Sequence, residues 1–263
     1  MTGLFAAQTS LVTAQIVPLT DNNSTALVDT SSQAGMFNWT VDNSANQLYQ
    51  QWFWYRIGNT AEHSIDTISA PVISQPAANI LNATYNNGTI STRVQYTLAG
   101  GAIGSGHSDI GEIITINNLT ANPLDFHFFQ YSDFDLDNPG NDTVQIGGQF
   151  NGKFYAVSQQ DLGTLTENMD TVSGANRAEV GFFASTLNNL NDANPTTLNN
   201  NLGPIGPGDV TWAFEWDFTL QPGGSFQISK DKLLSVTVPE PSSVALMACG
   251  LVAWGLNARR KKG

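Results

Sequence analysis

Four aspartates crowd one short stretch of the chain, Ser132-Asp133-Phe134-Asp135-Leu136-Asp137-Asn138-Pro139-Gly140-Asn141-Asp142. On an extended strand, residues two apart share a face at about 7 Å spacing. Asp133, Asp135 and Asp137 would therefore stack on one side, while Phe134 and Leu136 turn to the other. Three carboxylates that close repel unless a cation or a basic neighbour compensates. The residues from Asn138 to Asp142 then fold back, offering side-chain and carbonyl oxygens of the kind calcium prefers. The spacing is not that of an EF-hand, because Asn138 stands where the loop glycine belongs and no glutamate closes it. Asp133, Asp135, Asp137 and Asp142 are thus candidate calcium ligands. The same pattern also reads as a solvated acidic edge that discourages strand-to-strand aggregation.

Other arrangements carry less. Gly106-His107-Ser108-Asp109 holds the three residue types of a hydrolase triad. A nucleophile elbow needs glycine two residues to either side of the serine, and Ile110 stands on the far side. Neighbours on a strand also point to opposite faces, so His107 does not activate Ser108. His63 and His127 are isolated, without zinc-ligand spacing. Glu112, Glu179 and Glu215 are the types that pair in glycoside hydrolysis, but no spacing brings two together. Trp39, Trp52, Trp54 and Tyr55 could stack on sugar rings, although aromatics at period two also build cores. No catalytic set emerges, and a non-enzymatic protein is expected.

The elements that must position these residues are strands. Period-two alternation marks residues 36–41, 47–57, 79–85, 89–98, 110–116, 124–136, 143–150, 153–157 and 179–184. It continues through 209–220, 225–229 and 233–238. Asn87-Gly88 and Asn151-Gly152 each sit between two such runs and predict hairpins with type I′ turns. Residues 187–201 are rich in asparagine and allow only a few turns of helix. In 209–220, Val210, Trp212, Phe214, Trp216, Phe218 and Leu220 line one face. Roughly a dozen short strands without repeat or linker predict one antiparallel β-sandwich over residues 15–238, jelly-roll-like in topology.

Composition agrees. Charged residues make up 12% of the 263 and apolar ones 41%, so a core is available while the charged residues that clothe helices are scarce. Of 22 acidic residues only Glu240 lies beyond residue 238, and of 10 basic ones four do, so residues 1–238 carry a formal net charge of −15. Such a body repels nucleic acid and anionic membranes and suits divalent cations or neutral glycans. The one cysteine, Cys249, lies in the tail, so the body has no disulfide framework.

The tail has three parts: Pro239-Glu240-Pro241, an uncharged apolar run over 244–256, and Arg259-Arg260-Lys261-Lys262. Apolar on every helical face and followed by cations, the run reads as a single membrane-crossing helix with its basic end cytoplasmic. Its thirteen residues span about 20 Å, and flanking residues and snorkelling side chains extend it. The prolines keep the preceding segment extended and accessible. This architecture resembles the PEP-CTERM sorting signal of bacterial surface proteins. The resemblance implies recognition and processing by a membrane-embedded exosortase and an exported, surface-exposed domain. Val12-Thr13-Ala14 has the small-residue pattern of a signal-peptidase site, so residues 1–14 are expected to be a signal-peptide remnant; an ordinary first strand over residues 1–19 is the alternative.

Three blocks of the body also resemble a recurrent type of PEP-CTERM ectodomain. They run from Gln51 to Gly58, from Phe129 to Leu136, and from Trp212 to Phe218 with Ile228-Ser229-Lys230. That likeness supports fold and address and transfers no catalytic residue. The expectation is an exported cell-surface or extracellular-matrix protein with a structural or adhesive role. A carbohydrate-binding module of a polysaccharide layer comes second and a glycoside hydrolase third.

Overall fold

The computed structural model describes residues 15–137, 140–161 and 165–237. Residues 1–14, with the expected signal-peptide remnant, lie outside the described residues, as do Pro239, Glu240, Pro241 and the apolar run. Among the described residues no helix is long and apolar enough to cross a membrane.

The chain is built from strands, beginning with β1 (Ile16–Asp21), β2 (Ser24–Asp29), β3 (Gly35–Val41) and β4 (Leu48–Ile57). The short β5 (His63–Ser64) precedes one 3-10 turn (Ile65–Thr67), and then come β6 (Val72–Ala77), β7 (Ile80–Asn86), β8 (Ile90–Gly100) and β9 (His107–Asn118). β10 (Leu124–Phe134), β11 (Asp142–Gly147), β12 (Phe154–Asp161), β13 (Leu165–Ala175) and β14 (Arg177–Phe182) follow. A short helix α1 (Ser185–Leu190) precedes β15 (Ile205–Gly208), β16 (Val210–Leu220) and β17 (Ser225–Ser235). These form two sheets. One runs β1-β2-β3-β4-β10-β16-β14, with β5 beside β4; the other runs β15-β11-β12-β13-β17-β9-β8-β7-β6. All pairings are antiparallel except the brief contact of β3 with β4. The all-β sandwich is as expected, but with eight and nine strands per sheet it is about twice the size of a jelly roll.

The core lies between the sheets. Alternation places Phe126, Phe128, Trp212, Phe214 and Trp216 inside on the first sheet, and Val94, Tyr96, Ile110, Ile114 and Ile116 on the second, all buried. Rings stack along the first sheet, as in Phe134–Trp212 at 6.2 Å and Phe53–Phe128 at 5.6 Å, and across to the second, as in Phe218–Phe226 at 3.8 Å. Burial of this much aromatic surface is the main stabilising term.

The outer face of the first sheet is also buried, which alternation alone does not predict. Trp54, Phe129 and Tyr131 stand there with no more than 1% exposure, because α1 and the strand-free residues after it lie across them. Trp54 donates its indole N–H to Asn191 at 3.2 Å and meets Tyr131 edge-on. Leu190 and Leu198 from the covering segment are fully buried.

Both predicted hairpins form. At Asn151-Gly152 both residues have positive φ, 48° and 71°, as type I′ requires. At Asn87-Gly88 only Gly88 does, so the turn is not type I′. There the Asn87 side chain accepts the N–H groups of Thr89 and Ile90 at 2.9 and 3.0 Å and holds a three-residue loop instead. Residues 225–235, expected as two strands, are one. Lys230 and Lys232, which fall between the two expected runs, point into the sandwich and meet Glu112 at 2.7 Å each.

Candidate functional site

β10 and β16 run antiparallel, with Asp133 opposite Thr211. This register brings the end of one strand to the start of the next, and Asp209, just before β16, arrives beside Asp133. One carboxylate oxygen from each of Asp133, Asp135 and Asp209 lies within 4.8 Å of the others. They line a pocket of about 280 Å³ whose other walls are Tyr49 and Phe183. Those two rings meet edge-on at 6.1 Å and are half-exposed. Asp133 is 1% exposed; its Oδ1 has no hydrogen-bond partner among the described residues, and its Oδ2 accepts the Tyr131 hydroxyl at 3.4 Å. Burial, then the neighbouring charges of Asp135 and Asp209, pushes Asp133 up to about 8. Burial followed by Asp209 raises Asp135 as well.

The cluster differs from the sequence expectation in two members. β10 ends at Phe134; Asp135, one residue on, still reaches Asp133, but Asp137 does not join them. Its backbone turns to φ 59° and donates its N–H to the Gln47 side chain at 2.9 Å. Asp142 begins β11 and is buried, where its Oδ2 accepts the Leu136 N–H and the Gln159 amide at 3.1 and 2.6 Å. Asp209 was legible only as the polar start of a strand. No spacing in the sequence announces that it meets Asp133.

The aromatics named as sugar platforms are core residues. Trp39, Trp52 and Trp54 are at most 1% exposed and Tyr55 is 9% exposed. Trp39 donates to Ser108 at 3.0 Å and Trp52 to Ser64 at 2.8 Å, and Tyr55 stacks on Phe126. As placed, none of the four offers a free ring face to a glycan. Ser108 is spent on Trp39 inside the sandwich, while His107 on the opposite face contacts Ser235.

The glutamates separate likewise. Glu112 sits in the core between its two lysines. Glu215 and Glu179 lie on the outer face of the first sheet and serve the covering segment. Glu215 accepts the Leu198 N–H at 2.8 Å and Glu179 the Asn199 N–H at 2.9 Å, while Glu62 takes the Thr196 N–H at 2.9 Å. Arg56 supports this row, 3.0 Å from Glu62 and 3.7 Å from Glu215. At its exposed end His127 meets Asp217 at 2.5 Å. Burial raises Asp217, but the hydrogen bond and charge of His127 outweigh it and hold the carboxyl below its ordinary value. These carboxylates accept backbone N–H groups of the covering segment and pair with Arg56 and His127, fastening that segment to the sheet.

Residues 237–261 match the family model of the PEP-CTERM protein-sorting motif. The chain therefore carries the recognition signal of exosortase, a membrane processing enzyme, and is an exported protein anchored through its C-terminus before processing. No curated protein matches it in sequence. Among solved structures it is similar to a bacterial glucoamylase complexed with acarbose, at 9% identity and a TM-score of 0.57. That match covers 92% of this chain and 36% of the glucoamylase, so the chain spans about a third of that protein's length. It is similar to the Slr1438 protein from Synechocystis sp. PCC 6803, at 10% identity and a TM-score of 0.58 over 89% of this chain and all of that one. A GalM/aldose epimerase homologue from C. elegans aligns at 7% identity and a TM-score of 0.51, over 86% of this chain and all of that one. At such identities the likeness shows a shared sandwich fold alone.

Proposed function

We propose that this chain is a non-enzymatic cell-surface or matrix protein that exposes one acidic β-sandwich, in a structural or adhesive role, after sorting by an exosortase. The observation that carries the reading is the position of the sorting motif. It begins at residue 237, directly after β17 ends at Ser235, so the sandwich hangs at the membrane signal without a spacer. The buried tryptophans and the glutamates engaged by backbone N–H groups support a role without catalysis. The test replaces Pro239, Glu240 and Pro241 together by alanine in the full chain. The apolar run and its cations, which drive insertion, remain, while the extended hinge is lost. The variant is expected to insert and accumulate unprocessed; processing at the normal rate would overturn the assignment of this motif as the recognised element.

One feature favours a second reading, a carbohydrate-binding module. Tyr49 and Phe183 are exposed rings beside a polar pocket, the combination that sugar recognition uses. A glycan array probed with the full chain and with Tyr49→Ala tests it: a glycan retained by the first and lost by the second supports the module, and no binding removes it.

A further inference from the structure

We propose that Asp133, Asp135 and Asp209 hold a divalent cation, and that their donor set selects calcium. The inference goes beyond the sorting function and does not depend on it.

Three observations carry it. The first is spacing. Ligand oxygens on opposite sides of a calcium ion at about 2.4 Å are about 4.8 Å apart, and the three carboxylate oxygens all fall within 4.8 Å of one another. The second is the orphaned atom. Asp133 is 1% exposed, lines the pocket, and leaves Oδ1 without a hydrogen-bond partner among the described residues. A buried carboxylate oxygen left unmatched is costly, and a cation in the pocket supplies the missing partner while quenching the repulsion among the three. The third is room. Three carboxylates leave several of calcium's six to eight positions open, and about 280 Å³ accommodates several waters at about 30 Å³ each.

The donors set the choice of ion. An all-carboxylate set without histidine or cysteine suits hard cations over zinc or copper. Magnesium demands a tight octahedron from its ligands, whereas calcium accepts an irregular set. Asp135 is half-buried and Asp209 exposed, so the ion reaches the pocket from solvent.

The experiment uses the full chain in mild detergent, melted with calcium chloride in the low millimolar range and again with chelator. Wild type is compared with Asp135→Asn, Asp209→Asn and, as a control outside the cluster, Asp137→Asn. The last keeps its positive φ, which asparagine tolerates. Calcium is expected to raise the wild-type melting temperature by several degrees through mass action. The same rise is expected in Asp137→Asn and none in Asp135→Asn or Asp209→Asn. Asp209 is exposed, so its variant folds whatever the pocket binds. Terbium emission excited through the protein's tyrosines, and displaced by calcium, should follow the same pattern. Identical wild-type melts in the two buffers overturn the proposal, as does a full response in Asp209→Asn or its loss in Asp137→Asn.

Discussion

The Glu215 carboxylate accepts the backbone N–H of Leu198 at 2.8 Å, so a segment without strand pairing is fastened to the sheet by a side chain beneath it. Buried backbone N–H groups need partners, and residues 192–204 make no ladder of their own. Glu62, Glu179 and Glu215 supply acceptors where a neighbouring strand would otherwise have done so.

This fastening has a pH signature. Burial, reinforced by Asp217 and opposed by the Leu198 N–H and Arg56, pushes Glu215 up to about 8. Between its ordinary value of 4.5 and about 8, the folded protein holds a proton that the unfolded chain releases. The stability from this group is therefore complete below 4.5 and lost as pH rises through about 8. Glu215→Gln keeps an acceptor for Leu198 and does not titrate. Its urea midpoint should fall less than that of wild type across this range; parallel curves would assign the titration to another group.

The triad in the core predicts an asymmetry between breaking and replacing. Burial alone would raise Glu112, but Lys230 and Lys232 outweigh it and pull the carboxyl down to about 2. Its contribution is present above its ordinary 4.5 and lost as pH falls toward about 2. One anion does not neutralise two cations, and burial draws Lys230 down to about 7. Glu112→Gln removes the one anion facing both lysines, leaving Lys230 with the Gln130 side chain, and should cost about 3–5 kcal/mol in urea unfolding. Glu112→Leu combined with Lys230→Met and Lys232→Leu should be neutral or stabilising. A triple variant as unstable as the single one would show that the ions are needed for more than mutual neutralisation.

Asp42 is one of the side chains that hold the glycine-rich loop after β8, together with Asp21 and Asn23. Asp42 accepts the N–H groups of Gly104 and Gly106 at 2.6 and 2.8 Å and the Asn23 amide at 3.0 Å. The Gly104 N–H leads the effects that hold its carboxyl below the ordinary value, so this contribution fades only in acid. Asp42→Ala should lower stability by about 1–3 kcal/mol and speed amide exchange at Gly104 and Gly106. Unchanged exchange at both glycines would mean that the loop holds itself.

What could be read from the residues was whatever alternation and turn chemistry report locally. β10 and β16 were legible because large apolar residues recur with period two, and β4 because aromatics crowd both of its faces; the two Asn-Gly turns marked hairpins. β17 was read as two shorter runs with Lys230 and Lys232 in the gap between them; the register against β9, which sets Lys230 opposite Glu112, makes it one strand with both lysines turned inward. The acidic site was half legible for the same reason. Asp133 and Asp135 follow from local spacing, but Asp209 joins them through a pairing between strands far apart in sequence. The outer-face burial of Trp54 and Phe129 depends on a covering segment whose path no periodicity encodes.

β17 has a mechanical role as well as a structural one. It lies inside its sheet, paired with β9 from Ser225 to Ser235 and with β13 from Ser229 to Ser235, and the sorting motif begins two residues beyond it. A tug on the C-terminal end along the strand loads both ladders in shear, so many hydrogen bonds must yield together. An edge strand would peel one bond at a time. The sorting motif is thus joined to the domain through an interior strand, so load applied at that end is spread over two ladders.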